Sequence, residues 1–109
     1  MFKINKITKK IDITQGDSAS FRVDVKTKDG KPYKITQHDT IKFTVRKTAD
    51  SEALIECMVK GDNIINLLPE ATKLLATGIY LYDIEISNTE MVNTIIPLSF
   101  FEIQKEVTQ

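Results

Sequence analysis

The stretch Leu67–Ile86, LLPEATKLLATGIYLYDIEI, decides the fold of this chain. Its first half predicts a short helical turn near residues 69–76, because Pro69 suits the first position of a helix. Its second half alternates in polarity, which places Tyr80 and Tyr82 on one face of a strand. A helical turn, a glycine and then a tyrosine entering a late strand are typical of the tyrosine corner of immunoglobulin-like sandwiches.

Alternation with a period of two extends over most of the remaining sequence. Turn signals such as Asp29-Gly30 separate the alternating runs. The runs cover residues 11–14, 21–26, 41–46, 53–58, 63–67, 79–86 and 94–103. About seven short strands of this kind predict an all-β protein, an immunoglobulin-like antiparallel β-sandwich. A length of 109 residues suits a single β-sandwich domain over residues 1–109.

The same patterns predict particular structural roles. The Tyr80 hydroxyl should bond to nearby backbone, Gly16 and Gly78 should adopt positive φ, and Gly78 should cap the helix. Leu74 and Leu75 should pack the helix across the bottom of the sandwich, and the first ten residues and Lys105–Gln109 should be frayed. The predicted core consists of Phe21, Val23, Ile41, Phe43, Val45, Tyr80, Tyr82, Ile84, Phe101 and Ile103.

Composition excludes several classes of function. Fifteen basic and fifteen acidic residues give a net charge of +0, so bulk electrostatics favours neither nucleic acid nor a membrane as a partner. One Cys rules out a disulfide within the chain, and one His leaves little material for a metal site. Four lysines near the N-terminus, at positions 3, 6, 9 and 10, are interpreted as protection of an edge strand.

No arrangement of residues indicates catalysis. His38 lies among turn residues and is interpreted as a solvated loop histidine, and Cys57 lies in an apolar run as a small, reduced, buried hydrophobe. The acidic turn residues follow no calcium-loop spacing. We therefore expect no enzyme activity, no catalytic, cofactor-binding or metal-binding residues, and no cofactor. Tyr33 is the one aromatic ring expected at the surface, which keeps a carbohydrate- or cell-surface-binding module open as the alternative function.

Four segments together resemble one protein family. They are Ile7–Phe21, with its T-x-G-D-s-a-x-F turn; Asp39–Lys47, which reads D-x-I-x-F-T-V-R-K; Leu67–Ile86, which carries P-E-x-T-x-x-L-x-x-G-x-Y-x-Y-D-I; and Asn93–Ile96. This order is similar to small tail and baseplate proteins of phages and prophages of Gram-positive bacteria, and to the N-terminal domain of the phage baseplate upper protein. The resemblance covers nearly the whole chain, and none of its motifs is catalytic.

The resemblance implies a structural or docking module of a virion that acts through protein–protein contacts. Its partners would be other tail or baseplate proteins or further copies of itself, as a homo-oligomer, with no nucleic acid and no membrane. Lysines interrupt every apolar pair at the N-terminus, so no signal peptide is expected. We expect synthesis in the bacterial cytoplasm followed by incorporation into a phage virion.

Overall fold

The computed structural model describes residues 1–106, and in that part of the chain it contains eight strands and one short helix. The helix is α1 (Pro69–Lys73), which lies between β6 and β7. The strands are β1 (Phe2–Ile4), β2 (Ile11–Thr14), β3 (Ala19–Arg22), β4 (Thr40–Arg46), β5 (Ala53–Lys60), β6 (Ile64–Leu67), β7 (Gly78–Ser87) and β8 (Val92–Gln104). Seven of the eight strands overlap the alternating runs of the sequence, but β3 ends at Arg22, so most of the run over 21–26 is not a strand.

Two sheets of unequal width form the sandwich. The wide sheet has the strand order β1-β2-β8-β7-β4-β5, and the narrow sheet pairs β3 with β6. All neighbours are antiparallel except β2 and β8, which run parallel with Ile11 opposite Phe101 and Thr14 opposite Gln104. Because the narrow sheet has only two four-residue strands, it covers only part of the wide sheet.

The two sheets pack around one core, which confirms the predicted immunoglobulin-like β-sandwich. Alternate residues of β4 and β7 point inward, as the period of two predicts, and the Phe43 and Tyr82 rings lie 5.5 Å apart in its centre. Nine of the ten predicted core residues are buried. Phe21 is only partly buried, because it sits on the short narrow sheet, where its ring meets Phe2 and Phe43.

The tyrosine corner is present. Tyr80 is buried, and its hydroxyl donates to the Ala76 carbonyl over 2.6 Å. The buried Thr72 hydroxyl of α1 accepts a bond from the Gly16 N–H, which ties the helix to the β2–β3 turn. Gly16 has φ +83° and Gly78 has φ +141°, so both predictions of positive φ are confirmed.

Two predictions about the helix are wrong. The helix ends at Lys73 with Leu74 as its cap, so Gly78 opens β7 instead of capping a helix. Leu74 is 90% exposed, because the helix ends one residue before it and its side chain lies in solvent. Of the two leucines, only Leu75 packs against the core.

The prediction of a frayed N-terminus is also wrong, whereas residues 107–109 of the predicted frayed C-terminus lie outside the described residues. Residues Phe2–Ile4 form an edge strand antiparallel to β2, with Phe2 opposite Ile13. The Phe2 ring stacks on Phe21 at a centroid distance of 5.3 Å, which gives this short strand an apolar anchor. Lys3 is exposed on this edge strand, in the position that edge protection requires.

Candidate docking groove

An open groove of about 1010 Å³ lies where the narrow sheet leaves the wide sheet uncovered. Its floor is apolar and includes Val23, Ile84 and Ile86, all of which belong to the core. The walls come from three parts of the chain: the segment after β3, the β1–β2 turn, and the first half of β8. The groove is therefore an extension of the sandwich interior that the short narrow sheet does not close.

One wall of the groove is an unpaired strand edge. β8 pairs with β7 over residues 92–103, whereas β2 pairs only with Phe101–Gln104 of β8. Within residues 1–106, the outer edge of Val92–Phe100 therefore has no neighbouring strand. Eleven successive residues, Met91–Phe101, carry no charge. Backbone donors and acceptors on such an edge can pair with an added strand.

Pro97 divides this edge into two parts. Proline has no N–H to donate, and the Pro97 carbonyl already accepts the Ser99 hydroxyl over 2.8 Å. Pro97 therefore donates no backbone hydrogen bond to an added strand. The part that remains open is Val92–Ile96, and four of its residues, Asn93–Ile96, line the groove.

The facing wall is the long segment between β3 and β4. Hydrogen bonds hold its beginning in place: Val23 N–H donates to the Asn63 carbonyl over 2.7 Å, and the Asn63 side chain donates back to the Val23 carbonyl over 3.1 Å. Further along, Tyr33 N–H donates to the Val25 carbonyl over 2.9 Å. These bonds make a firm wall from a segment that contains no regular strand between residues 23 and 39.

The third wall is the β1–β2 turn. The Asn5 side-chain oxygen accepts the N–H groups of Ile7 and Thr8, and Lys9 has φ +64°, which together reverse the chain. Tyr82 is buried in the core, and its hydroxyl donates to the Lys9 carbonyl. This hydrogen bond holds the β1–β2 turn beside the groove. Burial raises the pKa of Tyr82 to about 12, so the hydroxyl remains a donor at physiological pH.

The groove is strongly basic although the chain is neutral. Five basic residues and one acidic residue line it: Lys6, Lys9, Arg22, Lys26, Lys28 and Asp24. None of the five basic side chains has a carboxylate within 4.0 Å in residues 1–106, and all five are exposed. Two of the lysines that the sequence assigned to edge protection, Lys6 and Lys9, thus lie beside the groove instead.

A buried carboxylate ties the facing wall of the groove to the β7–β8 turn. Asp39 is fully buried and accepts bonds from the Tyr33 hydroxyl (3.0 Å), the Thr36 N–H (2.9 Å) and the Asn88 side-chain amide (3.0 Å). Tyr33 lines the groove, and Asn88 belongs to the β7–β8 turn. The Thr36 N–H is the strongest of the influences that hold the pKa of Asp39 below its usual value, against the opposite effect of burial.

The sequence missed this role of Asp39. Its position before a strand suggested turn chemistry, and nothing in the neighbouring residues signals that Asn88, 49 positions away, completes the cluster. Tyr33 was expected to be an exposed ring. It is only partly exposed, because its hydroxyl is held by Asp39, and the hydrogen bond to that carboxylate raises the pKa of Tyr33.

The candidate catalytic residues of the sequence lie apart from the groove. His38 is exposed in the turn before β4. Cys57 is partly buried on β5, where its thiol lies 3.3 Å from the Asn66 carbonyl and burial raises its pKa. No group of three or more potential metal ligands occurs within residues 1–106. In the same part of the chain, no helix is long and apolar enough to span a bilayer.

Comparisons with known proteins give little further guidance. No protein-family model and no curated protein matches the chain. Several solved structures are similar to this chain, and one of them matches 89% of this protein and 90% of its own length, with 14% identity and a TM-score of 0.45. It comes from photo-crosslinking work on multimeric cell-adhesive interactions of VGSC beta subunits. A likeness at this level carries no argument about function.

Proposed function

We propose that this protein is a non-enzymatic structural or docking module of a phage or prophage virion. In this proposal it acts through protein–protein contacts in the tail or baseplate, or as an accessory protein of those assemblies. The single observation that carries the docking role is the unpaired, uncharged edge of Val92–Ile96 beside a preformed groove. The assignment to a virion is supported by the resemblance of four sequence segments to tail and baseplate proteins.

The chemistry of the groove fits a docking role better than catalysis. Its lining combines strand backbone, an apolar floor and exposed cations. Neither His38 nor Cys57 reaches it, so the nucleophile and base that a hydrolytic site needs are not brought together there. Backbone hydrogen bonding with flanking side-chain contacts is a common mode of peptide recognition by β-proteins.

The direct test is the composition of purified particles. Phage particles from the source bacterium, banded on a density gradient, are expected to contain this chain at a fixed ratio to their other tail proteins by quantitative mass spectrometry. Antibody against the chain is expected to label one end of the particle in electron micrographs. Absence of the chain from banded particles would refute the virion assignment.

Light scattering coupled to size-exclusion chromatography addresses the partner. A discrete oligomer over a concentration series would indicate that copies of the chain assemble with one another. A monomer at every concentration would indicate a module that docks on other proteins of the assembly.

A further inference from the structure

We propose that the groove binds an extended, acidic segment of a partner protein, which pairs with the Val92–Ile96 edge of β8 as an added strand. This inference rests on the proposed function, since it names the chemistry of the partner at the same site. It commits to one occupant, a β-strand with alternating apolar and acidic side chains. The strand edge, the apolar floor and the charge of the groove each match one property of this occupant.

The edge supplies the backbone contacts. Val92–Ile96 pairs with β7 along its other side, with Ile86 opposite Asn93 and Ile84 opposite Ile96, so it is already extended. A register shift between these two pairs leaves Ile95 as an extra residue of β8, which marks a bulge within this edge. Pro97, which has no N–H, ends the run of backbone donors. Five residues rise by roughly 17 Å, which accommodates a strand of about the same number of residues.

The floor accounts for the apolar half of the occupant. Alternate side chains of an added strand point toward the sandwich interior, where Ile84 and Ile86 close the bottom of the groove. The partly buried Ile95 and Ile96 extend this apolar surface along the edge itself. Small or branched apolar side chains on one face of the added strand would complete the core at this end.

The positive charge of the groove indicates that the other side chains of the occupant are acidic. The remaining side chains of an added strand point outward, past five exposed cations and one carboxylate. Lys6 and Lys9 lie on the wall formed by the β1–β2 turn, and Lys26 and Lys28 lie on the wall formed by the segment after β3. A chain with no net charge that concentrates cations around one groove favours an anionic ligand there. Carboxylates spaced two residues apart match this arrangement.

The test uses the full chain and a short blocked peptide in which Glu and Val alternate, with a Lys/Val peptide as its charge-reversed counterpart. Amide chemical shifts are followed by ¹⁵N–¹H NMR during titration. We expect the Glu/Val peptide to shift the amides of Val92–Ile96, with cross-strand NOEs between peptide and edge. We expect the Lys/Val peptide to leave these amides unchanged.

Substitutions separate charge from shape. The double variant Lys26→Glu/Lys28→Glu is expected to weaken binding of the Glu/Val peptide about tenfold, because two attractive contacts become repulsive. Lys60→Glu is the matched control, since Lys60 is an exposed lysine on β5 at the far side of the sheet, and it should bind as the unmodified chain does. Both variants change exposed side chains, and the dispersion of the amide spectrum reports that they are folded.

Three results would overturn the inference. The first is no shift at Val92–Ile96 at millimolar Glu/Val peptide, and the second is equal binding of the Glu/Val and Lys/Val peptides. The third is a concentration-dependent shift of the same amides without peptide, which would make a second copy of the chain the occupant. Presence of the chain in banded particles together with any of these results would leave the virion assignment standing. If the chain bound the Glu/Val peptide but were absent from banded particles, the virion assignment would be refuted and the peptide-binding inference would stand.

Discussion

Replacing Asp39 with asparagine tests whether one buried carboxylate ties the facing wall of the groove to the β7–β8 turn. Its two oxygens face different donors: Oδ1 accepts the Asn88 amide over 3.0 Å, and Oδ2 accepts the Thr36 N–H over 2.9 Å. An asparagine side chain has only one oxygen. Whichever way the amide is turned, its NH₂ group faces one of these two N–H donors, and that buried donor loses its acceptor.

The structure sets the size of the effect. A hydrogen bond to a charged group contributes about 1.5–3 kcal/mol, and a buried donor left without an acceptor costs about 1–3 kcal/mol. Some of this overlaps, so we expect Asp39→Asn to lower the free energy of unfolding by about 2–4 kcal/mol. For a domain of this size, that corresponds to a fall in melting temperature of about 10–20 °C.

The pH dependence supplies a second readout with a definite sign. Asp39 has its pKa lowered from 3.8 in the folded state, so its contribution is present at neutral pH and is lost as the pH falls below that value. The unmodified protein should therefore lose stability on acidification more steeply than Asp39→Asn does. Urea titrations followed by circular dichroism at pH 7 and at several values below 4 measure this difference.

Asp29→Asn is the matched control, because Asp29 is an exposed aspartate in the turn before Gly30. It should unfold within about 0.5 kcal/mol of the unmodified chain. If Asp39→Asn were equally harmless, or if its acid sensitivity matched that of the unmodified protein, the reasoning about this carboxylate would be refuted.

Three further predictions concern other parts of the fold. Tyr80→Phe removes the bond to the Ala76 carbonyl and should cost about 0.5–1.5 kcal/mol in urea unfolding; an unchanged midpoint would contradict this role. Gly78→Val forces a branched side chain into φ +141° and should destabilise by about 1–3 kcal/mol in thermal melts, and an equally stable variant would show that the backbone tolerates the change. The Cys57 thiol should react with Ellman's reagent more slowly than free cysteine at pH 8, because its pKa is raised; equal rates would argue against its burial.

The strands could be predicted from the sequence because burial of one face imposes a period of two. β4 and β7 show it most clearly, and their alternate residues line the core as expected. The tyrosine corner was also predictable, since its parts are local: α1, Gly78 and Tyr80 lie within a dozen residues. β1 was missed because three residues are too few to show a period.

The groove could not be predicted in the same way. It exists because β2 pairs with β8 only from Phe101 onward, so the earlier residues of β8 have no partner strand on that side within residues 1–106. The local alternation of polar and apolar residues does not show where two strands so far apart in sequence begin to pair. The five cations come from two separate pieces of chain, residues 6–9 and 22–28, so only the folded molecule shows that they line one groove. Asp39 and Asn88 likewise meet only through tertiary structure.

The parallel pairing of β2 with β8 has a consequence for how the protein is made. Ile11 and Ile13 are completely buried against a strand that the ribosome completes about ninety residues later. Until then, β2 has only β1 beside it, and two branched apolar side chains remain in water. Closing so long a loop is entropically slow, so the final step of folding awaits the arrival of Phe101–Gln104. Nascent chains stalled before that segment should therefore remain open to protease, and release of a few further residues should make them resistant.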